Sequence, residues 1–371
     1  MRLPGDERHK YCSLSNTRCD ANVGRARTTA VGMTDFEIRF PARGLGFARL
    51  GWIVSLCAFA FGAHVLSAPA AAQPYPARPI TMIIPFPAGG PTDAPGRVIA
   101  DRMGQSLGQP IIIENIGGAE GRIGTGRVAR AKPDGYTIVL GVTGTHVMNS
   151  ALYSLPYDVL NDFAPISPLV TTPLVLFARQ DMPAKDLREL IDWLKANPGK
   201  ASAGFGSVSF QVINVFFQKE TGTRLTLIPY RGSAPGMQDL LAGQIDLYFT
   251  TPAALPLVQA GKIKAYAVTS DTRLALAPEI PTFAQMGLPS LSFSNWYGLF
   301  APKGTPSDII DRLDAAAVEA LADPTVQSRL TELGMDSFPR DRQTPAALGA
   351  LQKADAEKWW PIIKETAIKV E

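Results

Sequence analysis

The 371-residue chain carries 36 Lys and Arg against 33 Asp and Glu and is 46% hydrophobic, enough apolar content for more than one core. Nine of the basic residues and five of the acidic ones precede residue 73; the remaining 299 residues hold 27 basic and 28 acidic side chains, a net charge near −1 that removes the main support for nucleic-acid binding. All three cysteines (Cys12, Cys19, Cys57) and two of the three histidines also lie in that N-terminal part, so the chain from residue 73 onward has no thiol, disulfide or cysteine-based metal site and one histidine, His146.

Arg39, Arg43 and Arg49 precede an apolar run over residues 51–66, and Ser67-Ala-Pro-Ala-Ala-Ala-Gln73 comes directly after it. A basic segment, a short apolar segment and a small-residue Ala70-x-Ala72 site predict a secretory signal peptide cleaved near Ala72. Residues 1–72 are therefore expected to be a leader, and the product periplasmic. The apolar run is sixteen residues long and broken by His64, short of the roughly 20 that a membrane span needs. Leu56 stands where lipidation of Cys57 wants a small residue, which argues against a lipoprotein. Residues 1–32 are polar and patternless, unlike the start of a signal peptide, and Met33 is the expected true start. No later apolar run reaches spanning length, so a soluble protein is expected after cleavage.

The mature chain alternates short apolar runs with amphipathic stretches, which predicts an α/β fold with largely parallel sheets. Ile80–Ile84 reads as a first strand and runs into Pro85-Phe-Pro-Ala-Gly-Gly-Pro-Thr-Asp93. The helix after it carries Ile99, Met103 and Leu107 on one face, can be capped by Thr92 or Asp93, and has Pro95 in its first turn. Residues 111–113 and 136–140 are the next strands, with a short helix over 125–131 between them.

A second block repeats this grammar. Leu187, Leu190, Ile191 and Leu194 predict a helix ended by Asn197-Pro-Gly199. Residues 201–205 form a strand entering Gly204-Phe-Gly-Ser-Val-Ser-Phe210, and residues 225–229 form one entering Tyr230-Arg-Gly-Ser-Ala-Pro-Gly236 and a helix. Strands over 245–249 and 263–268 complete the block. The C-terminal third is mostly helical and ends in a segment with Trp359, Ile362, Ile363 and Val370, expected to kink at Pro361. Two extended apolar stretches, 166–177 and 293–300, read as connections between the blocks. The expected organisation is a first domain from 73–173, a second from 174–292, and a return to the first over 293–371. The glycine turns of both domains would then face one cleft at the carboxyl ends of the strands.

Several motifs have competing readings. Phe86-Pro-Ala-Gly-Gly-Pro-Thr-Asp93 lacks the Gly-Lys-Ser/Thr ending of a nucleotide-binding loop, which leaves an anion cradle of backbone amides or an ordinary tight turn. Gly124-Thr-Gly-Arg-Val-Ala129 fits a loose dinucleotide pattern, but no strand abuts it and no ribose-binding acid comes after it, so it reads as a helix-entry loop. His146 has no Gly-x-Ser-x-Gly partner and no second histidine, so it is a structural or ligand-lining residue rather than a catalytic or metal-binding one. Asp246, inside an apolar run, is either an internal cap or a reader of a ligand amine or hydroxyl. Asn295-Trp-Tyr-Gly298 and Trp359-Trp360 read as packing.

Taken in order, Tyr75-Pro-Ala-Arg-Pro79, Pro85-Phe-Pro-Ala-Gly-Gly-Pro-Thr-Asp93, Glu114-Asn115, Lys132-Pro-Asp-Gly-Tyr136 and Leu155-Pro-Tyr-Asp158 form one set with later segments. Those are Pro229-Tyr-Arg-Gly232, Asp239-Leu-Leu-Ala-Gly-Gln-Ile-Asp246, Ala267-Val-Thr-Ser270, Trp296-Tyr-Gly298 and Ala301-Pro-Lys-Gly-Thr-Pro306. The set spans nearly the whole mature chain and resembles the periplasmic substrate-binding proteins of tripartite tricarboxylate transporters, the Bug family. The resemblance implies a two-domain Venus-flytrap fold of the type II periplasmic-binding-protein class, its domains joined by crossing β-strands. It also implies that one carboxylate of a small organic acid is held by backbone amides and bridging waters, with no cofactor and no metal. The matching loops here supply Phe86, Ala88, Gly89, Gly90 and Asp93 from the first domain. The second domain supplies Gly206, Ser207, Ser209, Tyr230, Gly232 and Ser233. For the far half of the ligand the candidates are Thr145, His146, Asn149, Gln211, Asp246 and Thr250.

The chain departs from the family pattern at Glu120, where a glycine is more typical, and at Phe205 and Val208-Ser-Phe-Gln211, where a small polar run with a histidine is usual. Phe205 and Phe210 lead to the expectation of a ligand with an apolar or aromatic body. The function expected is a monomeric, non-enzymatic binding protein that presents a small organic acid to the membrane subunits of the transporter. A partner of a periplasmic signalling receptor and a secreted α/β enzyme acting on an acid are the alternatives. Neighbouring transporter genes, a neighbouring sensor-kinase gene or measured turnover would separate them.

Overall fold

The strand Ile80–Ile84 (β1) is apolar at four of five positions, and Ile80, Met82, Ile83 and Ile84 are all buried, as a central parallel strand covered on both faces requires. A computed structural model describes residues 74–365 of the chain. The signal segment, its cleavage site, the Met33 start and Val370 lie outside the described residues. Flanking β1 in parallel register are Ile111–Asn115 (β2) and Thr137–Val142 (β3). Helix Asp93–Leu107 (α1) buries Ile99, Met103 and Leu107 as its spacing predicts, and Gly108 closes it in the left-handed region at φ +70°. Helix Arg122–Ala129 (α2) contains Gly124 and Gly126 in its body rather than in an entry loop. A Cβ on Gly124 would stand 2.6 Å from the Ile116 carbonyl oxygen, so this glycine serves close packing and not a dinucleotide.

The chain then leaves the first sheet. Phe163–Pro173 (β4) and Val175–Arg179 (β5) are separated by Leu174 alone, so the stretch read as one connection is two strands in two different sheets. Around the second sheet lie helix Leu187–Ala196 (α3), strand Ser202–Phe205 (β6), helix Val208–Thr221 (α4), strand Thr226–Pro229 (β7) and helix Ser233–Leu241 (α5). Strand Leu247–Thr250 (β8), helix Leu255–Gln259 (α6) and strand Ile263–Val268 (β9) come next. Ser294–Pro302 (β10) returns to the first sheet, and helices Ser307–Ala322 (α7) and Pro324–Glu332 (α8), strand Asp336–Ser337 (β11) and helix Pro345–Glu365 (α9) complete the chain described. Helix α9 continues through Pro361 to Glu365.

The two sheets share one order. In the first it is β2-β1-β3-β10-β4, extended by β11, and in the second β7-β6-β8-β5-β9. In each, three parallel strands are followed by an antiparallel strand that adjoins a crossing: β10 after the return from the second sheet, β5 after the entry from the first. The result is two α/β domains bridged by crossing segments, as the resemblance implies. Thr269 fastens the crossing. Its N–H donates to the Leu174 carbonyl at 2.8 Å, and its hydroxyl accepts from the Leu174 N–H at 2.8 Å and donates to the Phe293 carbonyl at 2.6 Å. Helix α9 straps both domains, because Trp359 packs edge-on against Phe293 and Phe216 while Trp360 Nε1 donates to the Val147 carbonyl. Among the described residues no helix is long and apolar enough to cross a membrane.

Candidate functional site

The first half of the site is the turn that links β1 to α1. Gly89 sits at φ +76°, a conformation that a side chain would strain. Asp93 braces it: Oδ2 accepts from the Gly89 N–H and from Arg97 Nε, each at 3.0 Å, and Oδ1 accepts from Asn115 Nδ2 at 2.9 Å. Asn115 Nδ2 also donates to the Phe86 carbonyl at 3.1 Å, so the end of β2 holds the turn at both its ends. Burial alone would raise the Asp93 carboxyl, but the hydrogen bonds from Arg97, Gly89 and Asn115 outweigh it and hold the group below the usual carboxylate range. Asp93 is thus a brace within the turn rather than a helix cap, and Thr92 lends α1 no side-chain cap either.

The second half comes from two turns of the other sheet. Strand β6 ends at Phe205, and Gly206-Ser207 leads into α4; β7 ends at Pro229, and Tyr230-Arg-Gly232 leads into α5. Neither Ser207 nor Gly232 supplies a side-chain cap to its helix. Tyr230 Oη donates to Asp239 Oδ2 at 2.7 Å and ties its turn to α5. A Cβ on Gly206 would stand 2.4 Å from the Gly232 carbonyl carbon, and one on Gly232, at φ +97°, would stand 3.1 Å from Pro87. The three turns are therefore in mutual contact across the cleft, which is closed here.

Between them lies a cavity of about 40 Å³ lined by Thr92, Ser207, Gly232 and Ser233, the starts of α1, α4 and α5. Three helix N-termini without side-chain caps converge on a space that suits a carboxylate group or a few waters. Asn295 and Tyr297, two residues apart on β10 and so on one face, line it as well. The Tyr297 phenol is raised above its ordinary range by burial, against hydrogen bonds with Asn295 and Thr92. A second cavity of about 280 Å³ adjoins the first through Phe86, Pro87, Gly206, Arg231 and Gly232, and is also lined by Glu120 and Tyr230. A third, of about 400 Å³, meets Gly89, Gly90 and Ser233 on another side and is lined by Thr250.

Of the residues expected at the site, Phe86, Ala88, Gly90, Gly206, Ser207, Gly232 and Ser233 line the smallest cavity. Tyr230 lines the second cavity, and Gly89 and Thr250 the third. Ser209 is buried beside Gly144, its hydroxyl 3.4 Å from Asn295 Oδ1. The expected distal set is not assembled. Thr145, His146 and Asn149 come after the end of β3, but the chain turns inward through the π-helical turn Gly144–Met148 and all three are fully buried. The His146 ring stacks on Phe300 at 4.2 Å and accepts or donates a hydrogen bond with Thr145 Oγ1, and burial drops its pKa to about 3, so it stays neutral. Gln211 is buried on α4. Asp246 stands at the amino end of β8, the end away from Thr250, where it pairs with Arg179 Nε at 2.7 Å and accepts from the Ser202 N–H and hydroxyl. It is an internal tie, since ligands of open α/β sheets meet the carboxyl ends of strands. Of the two expected aromatics, Phe210 lines the smallest cavity, whereas Phe205 is buried in β6. Thr92, Pro87, Arg231, Asn295 and Tyr297 were not among the expected site residues; the alternation of Asn295 and Tyr297 along β10 was the one signal for two of them.

Residues 96–368 match the family described as the tripartite tricarboxylate transporter family receptor, TctC. Among solved structures, the periplasmic binding protein BugD aligns with a TM-score of 0.76 and 37% identity, covering 80% of this chain and 100% of BugD. MatC from Rhodopseudomonas palustris with bound malate aligns with a TM-score of 0.74 and 36% identity over 78% of this chain and 100% of its own. A second R. palustris protein, solved with adipate, gives a TM-score of 0.74 and 30% identity over 79% of this chain and 98% of its own.

Proposed function

The chain belongs to the tripartite tricarboxylate transporter receptor family of periplasmic solute-binding proteins, and on that premise we propose that it captures one small organic carboxylate and delivers it to the membrane subunits of such a transporter. One observation carries the reading: three uncapped helix starts, one from the first domain and two from the second, meet at a single small cavity. Their N–H groups can hold an anion without a charged side chain, and because both domains contribute, holding it stabilises the closed state. Malate in MatC and adipate in its relative support an aliphatic acid as the ligand class.

In this reading the ligand contacts are the amides around Gly90, Ser207 and Ser233, with Phe86, Ala88, Gly232, Asn295 and Tyr297 shaping the pocket. Asp93 acts by bracing Gly89. The domain limits that go with it are 73–173 plus 293–371 for the first domain and 174–292 for the second, supported by the sheet change at Leu174 and the return at β10. Cleavage near Ala72 would release a monomer into the periplasm, acting by holding rather than by turnover. A thermal-shift panel of aliphatic mono- and dicarboxylates on ligand-stripped protein tests capture. An acid present at about 100 times its Kd should add about 2.7 kcal/mol of stability. A panel in which no acid raises the midpoint would count against the proposal.

A further inference from the structure

Gly118, Ala119, Glu120 and Gly121 have φ of +112°, +47°, +56° and +83° in succession, so two residues with side chains are held in the left-handed region along the second cavity. The surroundings fix this strained loop. Asn149 Nδ2 donates to the Glu120 carbonyl at 3.0 Å, Arg122 Nε donates to the Ala119 carbonyl at 2.8 Å, and the Gly121 N–H donates to the Gly118 carbonyl at 3.1 Å. Gly121 fills the space between Thr145 and Pro85, where a Cβ would stand 2.7 Å from the Thr145 methyl. Thr145 and Asn149, expected to touch the ligand, instead support this loop from behind.

Glu120 lines the 280 Å³ cavity, which adjoins the carboxylate-sized one and is also lined by Tyr230 and Arg231. Its Oε2 is buried and has no hydrogen-bond partner. The groups acting on it are Arg122 in its own loop, Tyr153 after the short helix Asn149–Leu152 and Tyr248 on β8, while Tyr230 and Arg231 line the same cavity. Arg122 is engaged elsewhere, its guanidinium 3.6 Å above the Tyr153 ring. Burial outweighs the pull of Arg122 and raises the Glu120 carboxyl to about 7. A carboxylate in this state favours a bound group that brings a proton to share.

We infer that Glu120 reads the end of the ligand remote from the captured carboxylate, and selects acids whose far end is an amine or a hydroxyl over dicarboxylates. The inference rests on carboxylate capture at the glycine turns. An ammonium would form an ion pair with ionised Glu120, a hydroxyl would donate to it, and a second carboxylate would meet a like charge. Protonation of Glu120 removes that repulsion and makes it a donor, so dicarboxylates gain affinity as pH falls from 8 to 6 while amino acids lose it.

Isothermal titration with chain-matched pairs tests this: γ-aminobutyrate and γ-hydroxybutyrate against succinate, and ε-aminocaproate against adipate, on the wild type and Glu120→Gln. At pH 8 the wild type is expected to bind the amino or hydroxy acid of at least one pair about tenfold or more tighter than its dicarboxylate. Glu120→Gln should erase most of that ratio, and lowering the pH to 6 should shrink it in the wild type but not in the variant. Equal or tighter binding of both dicarboxylates at pH 8, or a ratio that neither the substitution nor pH changes, overturns the inference and leaves carboxylate capture standing. The pH arm on the wild type decides the matter even if Glu120→Gln fails to fold. No binding of any of these acids at either pH would overturn capture of aliphatic acids, and this inference with it.

Discussion

Gly206→Ala lowers affinity for the captured acid about 100-fold or more while the protein still folds. A Cβ at this position would lie 2.4 Å from the Gly232 carbonyl carbon, 2.5 Å from its oxygen and 2.7 Å from the Ser233 nitrogen. All three are backbone atoms, so no rotamer change relieves the clash and one of the two turns must move. Those turns start α4 and α5, whose free N–H groups form the second domain's share of the cradle. Displacing either by a fraction of an ångström misdirects the donors that the anion needs. Gly206 comes directly after the last residue of β6, outside the strand, and overpacking at such a point costs about 1–3 kcal/mol, which a folded domain tolerates. Isothermal titration with the acid that stabilises the wild type provides the measurement, with circular dichroism to confirm folding. Affinity within about threefold of the wild type would mean that the Gly206–Gly232 contact does not shape the site.

Thr269→Val destabilises the protein by about 2–4 kcal/mol although it removes only a hydroxyl in exchange for a methyl group. The Thr269 side chain is buried and its hydroxyl is shared between the two crossing segments, accepting from Leu174 and donating to Phe293. Valine fills the volume and leaves a buried N–H and a buried carbonyl short of a partner, each a desolvation cost of about 1–3 kcal/mol. Thr269→Ser should restore most of the loss, because it keeps the hydroxyl and gives up one methyl. Urea denaturation followed at equilibrium checks both variants. A change below about 0.5 kcal/mol in Thr269→Val would show that water or a shifted backbone satisfies Leu174 and Phe293 instead.

The parts of the site that depend on local chain chemistry were readable from the residues in order. A strand followed at once by glycines and a helix places N–H groups at the strand's carboxyl end wherever it occurs, and the turns at Gly89, Gly206 and Gly232 obey that rule. The strands themselves stand within a few residues of their expected positions, since runs such as Ile80–Ile84 and Ile263–Val268 are apolar and bounded by turn residues. The far half of the pocket was not readable in the same way. His146 looked available because it lies just past a strand end, but Gly141 leaves room for its ring beneath the sheet: a Cβ there would lie 2.4 Å from Nδ1. Asp246 directly precedes the short strand β8 and Thr250 ends it, and only the strand's direction decides which of them reaches the cleft. Asn295 and Tyr297 were hidden among apolar neighbours whose packing role is real, Trp296 being buried with Nε1 bonded to Asp355. Contacts between distant segments, Pro87 against Gly232 above all, leave no local signature.

Amide chemical shifts test the central claim most directly, because the claim is that backbone N–H groups of both domains hold one carboxylate. In a ¹H–¹⁵N titration of ligand-stripped mature protein with a binding acid, the largest shifts should fall on Gly90, Gly206, Ser207 and Ser233, with both domains moving at the same ligand concentration. Saturable binding that leaves these amides in place and shifts residues elsewhere would contradict the account.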